Sequence, residues 1–207
     1  MKPWLFDILA CPIDKSFPLK LFIFSFETKP EEFQAFIDIY EKRDISSIKE
    51  RNVIEVSEEN NLLFIKDNIT IEKTPIKSYL GLIISSINEL DNIYDRTKDA
   101  HSIKCFNMIK TGIKQKIVEF LDKNDVINIE NIFPELYFLN KVKVETEIES
   151  GLLFCNECNR WYPIIDTIPQ MLPDQFRDRK KEIEFLKINK NLLDEEFFNQ
   201  NLKPFNL

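Results

Sequence analysis

The sequence predicts an α+β protein in which both chain ends form a small antiparallel sheet, with a mainly helical insertion between them and a charged helical tail. Three observations carry this. Cys155-Asn-Glu-Cys158 makes a Cys-x-x-Cys knuckle between two short strand-like runs, and Cys11-Pro-Ile-Asp14 makes a half-knuckle near the start. Between them, apolar residues recur at helical spacing. Beyond Pro173, charge dominates and the apolar residues thin to one side of a helix. The expected boundaries are 1–28 plus 141–174 for the split sheet domain, 29–140 for the insertion and 175–207 for the tail.

Taken in order, Ile8-Leu9-Ala10-Cys11 superficially resembles a lipoprotein cleavage box, but Asp7 interrupts a short apolar stretch and Lys2 alone is a poor cationic start. The segment reads as a buried strand or helix end. Phe17 to Phe26 is aromatic and β-branched enough for a strand covered on both faces. From Pro30 the pattern turns helical, with Phe33, Phe36, Ile37 and Tyr40 on one side. Val53–Val56 and Leu62–Ile65 flank Glu58-Glu-Asn-Asn61 as a hairpin. Thr74 then reads as an N-cap with Pro75 at the first helical position. Leu80, Ile83, Ile84, Ile87 and Leu90 mark the helix that follows, running to about Asp95.

A second helix starts near His101 and lines up Phe106, Ile109, Ile113, Ile117 and Phe120, and a short helical stretch covers about Asn131 to Leu139. Val142, Val144 and Ile148 alternate with Lys143, Glu145, Glu147 and Glu149, which reads as a half-buried strand. Ser150-Gly151 should turn the chain into an antiparallel return over Leu152–Cys155, with a further strand at Trp161–Ile165. Phe176 to Phe198 reads as one charged helix with Ile183, Leu186, Leu193 and Phe197 on its apolar side.

Composition narrows the chemistry. The chain has 207 residues, of which 43% are apolar and 30% charged, with a net charge of −7. That profile suits a folded chain of one or two domains. Only Gly81, Gly112 and Gly151 are glycines and no two are close, which excludes the glycine-rich loops that cradle nucleotide phosphates. An acidic chain lacks the basic field that drives tight binding to RNA or DNA. Leu80 to Ile87 is far too short to span a bilayer, so no membrane role is expected. Four cysteines without an export signal point to reduced thiols and a cytoplasmic location.

Two knuckles at opposite ends of the chain suit one metal site. Cys-x-x-Cys between strands is the half-site of a zinc ribbon, and zinc accepts carboxylate oxygen, so Cys11, Asp14, Cys155 and Cys158 form a candidate Cys3Asp ligand set. The competing reading is a ribbon scaffold that has lost a ligand and packs without metal. A redox role is disfavoured because no βαβ pattern surrounds the knuckle. His101 and Cys105, four apart on a helix, read as a surface or capping residue and a core residue. Glu31-Glu32, Glu58-Glu59 and Glu195-Glu196 read as surface charge, and no catalytic arrangement is recognisable.

Leu9-Ala-Cys-Pro-Ile-Asp-Lys-Ser-Phe-Pro-Leu19, Ile148-Glu-Ser-Gly-Leu-Leu-Phe-Cys-Asn-Glu-Cys-Asn-Arg-Trp-Tyr-Pro-Ile164 and Asp166-Thr-Ile-Pro-Gln-Met-Leu172 together resemble the zinc-ribbon-like activator subunit of tRNA, rRNA and release-factor methyltransferases. The likeness covers about residues 1 to 26 and 141 to 174. Asp14 stands where that family frequently has a second cysteine, and Thr167 where it usually has glycine, which implies a slightly different turn.

The resemblance implies a subunit with no reaction of its own. It would pair as a heterodimer with S-adenosylmethionine-dependent methyltransferases, cover an apolar patch and extend their sheet, while S-adenosylmethionine binds only the partner. Phe17, Trp161, Tyr162, Ile164, Ile168 and Met171 are the side chains expected at that surface, because aromatic and Met residues dominate interface energetics. Trp161 and Ile164 are equally suited to filling the ribbon's own core. A free-standing ribbon that contacts RNA or the transcription apparatus is the rival reading.

Overall fold

The computed structural model describes residues 1–123 and 126–207. In chain order the strands are β1 Lys20–Phe26, β2 Glu55–Glu59, β3 Leu62–Lys66, β4 Thr74–Pro75, β5 Ile93–Asp95, β6 Ile148–Phe154, β7 Trp161–Ile165 and β8 Ile168–Pro169. The α-helices are α1 Pro30–Lys42, α2 Ile45–Glu50, α3 Ile76–Glu89, α4 Ala100–Met108, α5 Lys114–Lys123, α6 Phe133–Asn140, α7 Arg179–Ile188 and α8 Glu195–Phe198. The fold class is α+β, and the chain divides into two compact units. Unit 1 comprises Met1–Glu27, Asn92–Lys98 and Glu147–Leu207; unit 2 comprises Thr28–Asp91 and Asp99–Thr146.

Unit 1 is built on a five-stranded sheet of order β5-β1-β6-β7-β8. β1 pairs antiparallel with β6 and parallel with β5. The two chain ends therefore share one sheet, and the Ile148 amide also donates to the Met1 carbonyl at 2.8 Å. Ser150 and Gly151 do not turn the chain: they lie inside β6, at an irregularity where the register to β1 shifts between Ile23 and Ser25. Gly151 is needed there because a Cβ would come within 2.6 Å of the Phe22 carbonyl oxygen.

One face of this sheet is covered by the tail. Phe22, Phe24, Leu152, Phe154 and Trp161 pack against Leu186, Leu193, Phe197 and Leu202 in one apolar cluster. The expected single tail helix is broken into α7, a short 3-10 turn at Lys190–Leu192, and α8. Asp178 caps α7 by accepting from the Lys180 and Lys181 amides, and the Asn189 side chain donates to the Phe185 carbonyl at its other end.

The helix expected to run to Asp95 stops at Glu89, and Ile93–Asp95 is a strand instead. Its reason is tertiary: Tyr94 stacks on Phe22 with ring centroids 5.1 Å apart, and β5 completes the edge beside β1.

Unit 2 packs α1 to α6 with a three-stranded sheet of order β2-β3-β4. The expected one-sided helices are present: Phe33 and Ile37 of α1 and Leu80, Ile83 and Ile87 of α3 are buried. α4 and α5 are joined by a wide helical turn at Ile109–Ile113, and Phe106, Ile109, Ile113, Ile117 and Phe120 are all buried. The hairpin is tighter than its expected four-residue loop: Glu59 pairs with Leu62, and Asn60 and Asn61 alone make the turn with φ of 52° and 62°. Two left-handed residues match the twist of a two-residue hairpin. Thr74 pairs with Ile65 in β4 rather than capping α3, whose N-cap is Pro75.

The alternating Val142–Glu147 segment is not a strand. Lys141–Glu145 continues α6 as a wide helical turn, and β6 begins only at Ile148. The alternation misleads because Lys143 is fully buried, its ammonium donating to the Ser86 carbonyl at 3.0 Å and to the Ser86 hydroxyl.

Candidate metal centre

Each knuckle is shaped by its own backbone. In the first, the Cys11 amide donates to the Ser16 carbonyl (3.0 Å) and the Lys15 amide to the Cys11 carbonyl (2.9 Å). In the second, the Cys155 amide donates to the Arg160 carbonyl at 2.8 Å. Lys15 and Asn159 each follow the second ligand position of their knuckle, and both have left-handed φ, 65° and 56°. Two different sequences thus make the same kind of turn.

The turns bring Cys11, Asp14, Cys155 and Cys158 together, with one ligand atom from each lying within 4.8 Å of the others. All four cysteines of the chain are free thiols. The Sγ atoms of Cys11 and Cys158 are 3.7 Å apart, and the Cys155 Sγ is 3.4 Å from Asp14 Oδ2. Around a tetrahedral zinc with sulfur at about 2.3 Å and oxygen at about 2.0 Å, sulfurs lie about 3.8 Å apart and a sulfur–oxygen edge is about 3.5 Å. The donor set fits a zinc-sized ion.

The surroundings supply further polar contacts. The Ser16 hydroxyl lies 2.9 Å from the Cys155 Sγ, and the Tyr162 hydroxyl 3.3 Å from the Cys11 Sγ. The Ser16 amide on the Asp14 carboxylate, joined by the thiols of Cys158, Cys11 and Cys155, holds Asp14 well below the usual carboxylate range. Burial pushes the Cys158 thiol up to about 12, with the Asp14 carboxylate adding to it and Arg160 opposing it. Burial and the Cys11 contact also raise the Tyr162 phenol. Thiols give up their protons on binding a divalent cation, so occupation of this site would be coupled to proton release.

Of the supporting groups, Ser16 and Arg160 were not singled out from sequence. Their one signal is position, each two residues beyond the second ligand position of its knuckle. Cys105 takes no part: it belongs to unit 2, approaches the Phe33 carbonyl at 3.7 Å, and burial pushes its thiol up to about 12. The His101 side chain is 41% exposed and lies 3.8 Å from Asp99.

The model of the Trm112p-like protein family matches residues 2–166, a span that includes both knuckles. The chain belongs to the Trm112p-like family. Trm112p-like proteins are methyltransferase activator subunits rather than enzymes, and methyltransferases are their partners in general. No curated protein and no solved structure matches the chain.

The side chains expected at a partner surface divide into two sets. Trp161, Tyr162 and Ile164 are fully buried within the chain and fill unit 1's own interior. Trp161 is under the tail, its indole N–H donating to the Phe205 carbonyl at 3.0 Å. Phe17 and Ile168 are 46% and 60% exposed, and Met171 is half-buried. Leu172 and Phe176 are exposed apolar residues close by in sequence. Among the described residues no helix is long and apolar enough to cross a membrane.

Proposed function

We propose that this chain is a non-catalytic activator subunit that forms heterodimers with S-adenosylmethionine-dependent methyltransferases acting on tRNA, rRNA or a translation release factor in the cytoplasm. Zinc held by Cys11, Asp14, Cys155 and Cys158 would pin the two chain ends together. The observation that carries this reading is a family match spanning both knuckles. β8 is an outer strand of the unit 1 sheet, and a partner strand added there gains main-chain hydrogen bonds. Phe17, Ile168 and Met171 would supply the apolar contacts. Binding that stabilises the partner's cofactor-competent state raises its apparent affinity for S-adenosylmethionine by population shift, with no contact from this chain to the cofactor.

Co-expression with the methyltransferases of the host tests the reading. The expected result is a stable one-to-one complex that binds S-adenosylmethionine more tightly than the catalytic subunit alone. Phe17→Asp with Ile168→Asp should weaken that complex by about 10–100-fold without unfolding the chain. Failure to capture a methyltransferase, together with RNA binding by the chain alone and a steep salt dependence, would replace it with the free-standing ribbon reading.

A further inference from the structure

We propose that the segment after Pro173 is a clasp linked to the metal centre. Asp174 holds the Arg160 side chain beside the Cys155–Cys158 knuckle, and Arg177 holds the Tyr162 ring whose hydroxyl meets the Cys11 sulfur, so that metal binding and clasp docking stabilise each other. This rests on the zinc reading of the preceding section and concerns residues beyond the family match, which ends at residue 166.

Two relays connect the clasp to ligand residues. In the first, Asp174 accepts from the Arg160 guanidinium, Nε at 3.2 Å and Nη2 at 2.9 Å, and the Arg160 carbonyl accepts from the Cys155 amide at 2.8 Å. Arg160 is therefore shared between a ligand residue and the first turn of the clasp. In the second, Arg177 lies 5.2 Å from the Tyr162 ring centroid, and the Tyr162 hydroxyl is 3.3 Å from the Cys11 Sγ.

Arg177 is only 7% exposed. It stacks also on Trp161 and Phe205, at 5.1 and 5.8 Å, and is paired with Glu182, while its Nη1 has no hydrogen-bond partner among the described residues. A buried guanidinium held by aromatic faces and one carboxylate fixes the ring beneath it.

The far end of the clasp closes on the same knuckle. The Lys203 amide donates to the Asn159 carbonyl at 2.9 Å, and the Trp161 amide donates to the Lys203 carbonyl at 3.2 Å. The backbone on the exit side of Cys158 is thereby held at Asn159 and Trp161 by the end of the chain, and at the Arg160 side chain by Asp174. A knuckle held on its exit side presents its ligand positions already oriented for a metal, as groups that support a ligand from behind do. Coupling of this kind is reciprocal: what metal binding adds to the clasp, the docked clasp adds to metal affinity.

The test uses the full chain. Zinc affinity is measured by competition with a chromophoric chelator for wild type, Asp174→Asn, Asp174→Glu and Arg177→Met, and the visible bands of the cobalt(II) form are recorded for each. Amide hydrogen exchange over 176–205 is compared in wild type with zinc and after its removal. The expected results are about 10-fold weaker zinc binding with altered cobalt bands in Asp174→Asn, recovery in Asp174→Glu, and at least about 10-fold faster exchange in the metal-free clasp. Wild-type-like affinity in Asp174→Asn, or exchange in the clasp that is unchanged by metal, overturns the linkage while leaving the zinc reading intact. A wild-type chain that takes up neither zinc nor cobalt removes the zinc reading itself and the linkage with it.

Discussion

In unit 2, Glu135 is fully buried yet receives the Arg43 guanidinium, the Lys116 ammonium and the Tyr40 hydroxyl; likewise Asp67 receives the Tyr79 hydroxyl and the Asn140 amide. In unit 1, Cys11, Asp14, Cys155 and Cys158 face one another instead, four potential metal ligands in one place. The difference separates two uses of clustered polarity. Glu135 and Asp67 close on partners of opposite character and act as fasteners, which a ligand would only disrupt. Unit 1 gathers three thiols and an exposed carboxylate, an arrangement that a divalent cation would turn into a crosslink between the chain ends.

The contrast can be broken most sharply at the thiols. Cys155→Ser or Cys158→Ser should weaken zinc binding by more than about 100-fold, whereas Cys105→Ser, buried in unit 2, should leave zinc content unchanged. Metal analysis after dialysis against a chelator checks both.

The reverse experiment acts on unit 2. Glu135→Ala should cost about 2–3 kcal/mol in denaturant unfolding, because three donors lose one buried acceptor, while zinc content stays at the wild-type value.

Acid should separate the units by pH. Zinc requires deprotonated thiols, so its affinity should fall by at least about tenfold per unit as pH drops below neutrality, read with a zinc indicator. For Glu135, burial alone would raise the pKa, but hydrogen bonds and charge from Arg43 and Lys116 outweigh it and hold it below the ordinary value. A depressed carboxylate stabilises the fold above its unfolded pKa, about 4.3, and that contribution is lost as pH falls below it. Metal release should therefore precede loosening of α1 and α6, measured by hydrogen exchange.

The smallest effect concerns the turn between β7 and β8. Ile165 pairs with Ile168, so Asp166 and Thr167 are the two turn residues, with φ of 48° and 66°. The turn stays left-handed although a β-branched residue stands where relatives usually carry glycine. Thr167→Gly should raise stability by about 1 kcal/mol with no change in zinc affinity.

Local chemistry was the legible part of this sequence. The knuckles could be read because ligand spacing and turn residues sit within a few positions of one another, and α1 and α3 because their apolar stripes are long. Three residues of β5 carry too little periodicity to be told from a helix end, and only β1, distant in sequence, makes them a strand. Val142–Glu147 copies a strand pattern because nothing local reveals that the Lys143 ammonium goes inward to Ser86. Trp161, Tyr162 and Ile164 have the chemistry of interface residues, and sequence could not show that the interior of unit 1, closed on one side by its own tail, takes them up.

X-ray absorption on the zinc-loaded chain tests the central claim most directly, because it counts the atoms around the ion. Closure of both ends on one metal predicts three sulfurs at about 2.3 Å and one oxygen at about 2.0 Å. A shell with two sulfurs or fewer would mean that Cys11 and the Cys155–Cys158 knuckle do not share an ion, and would contradict it.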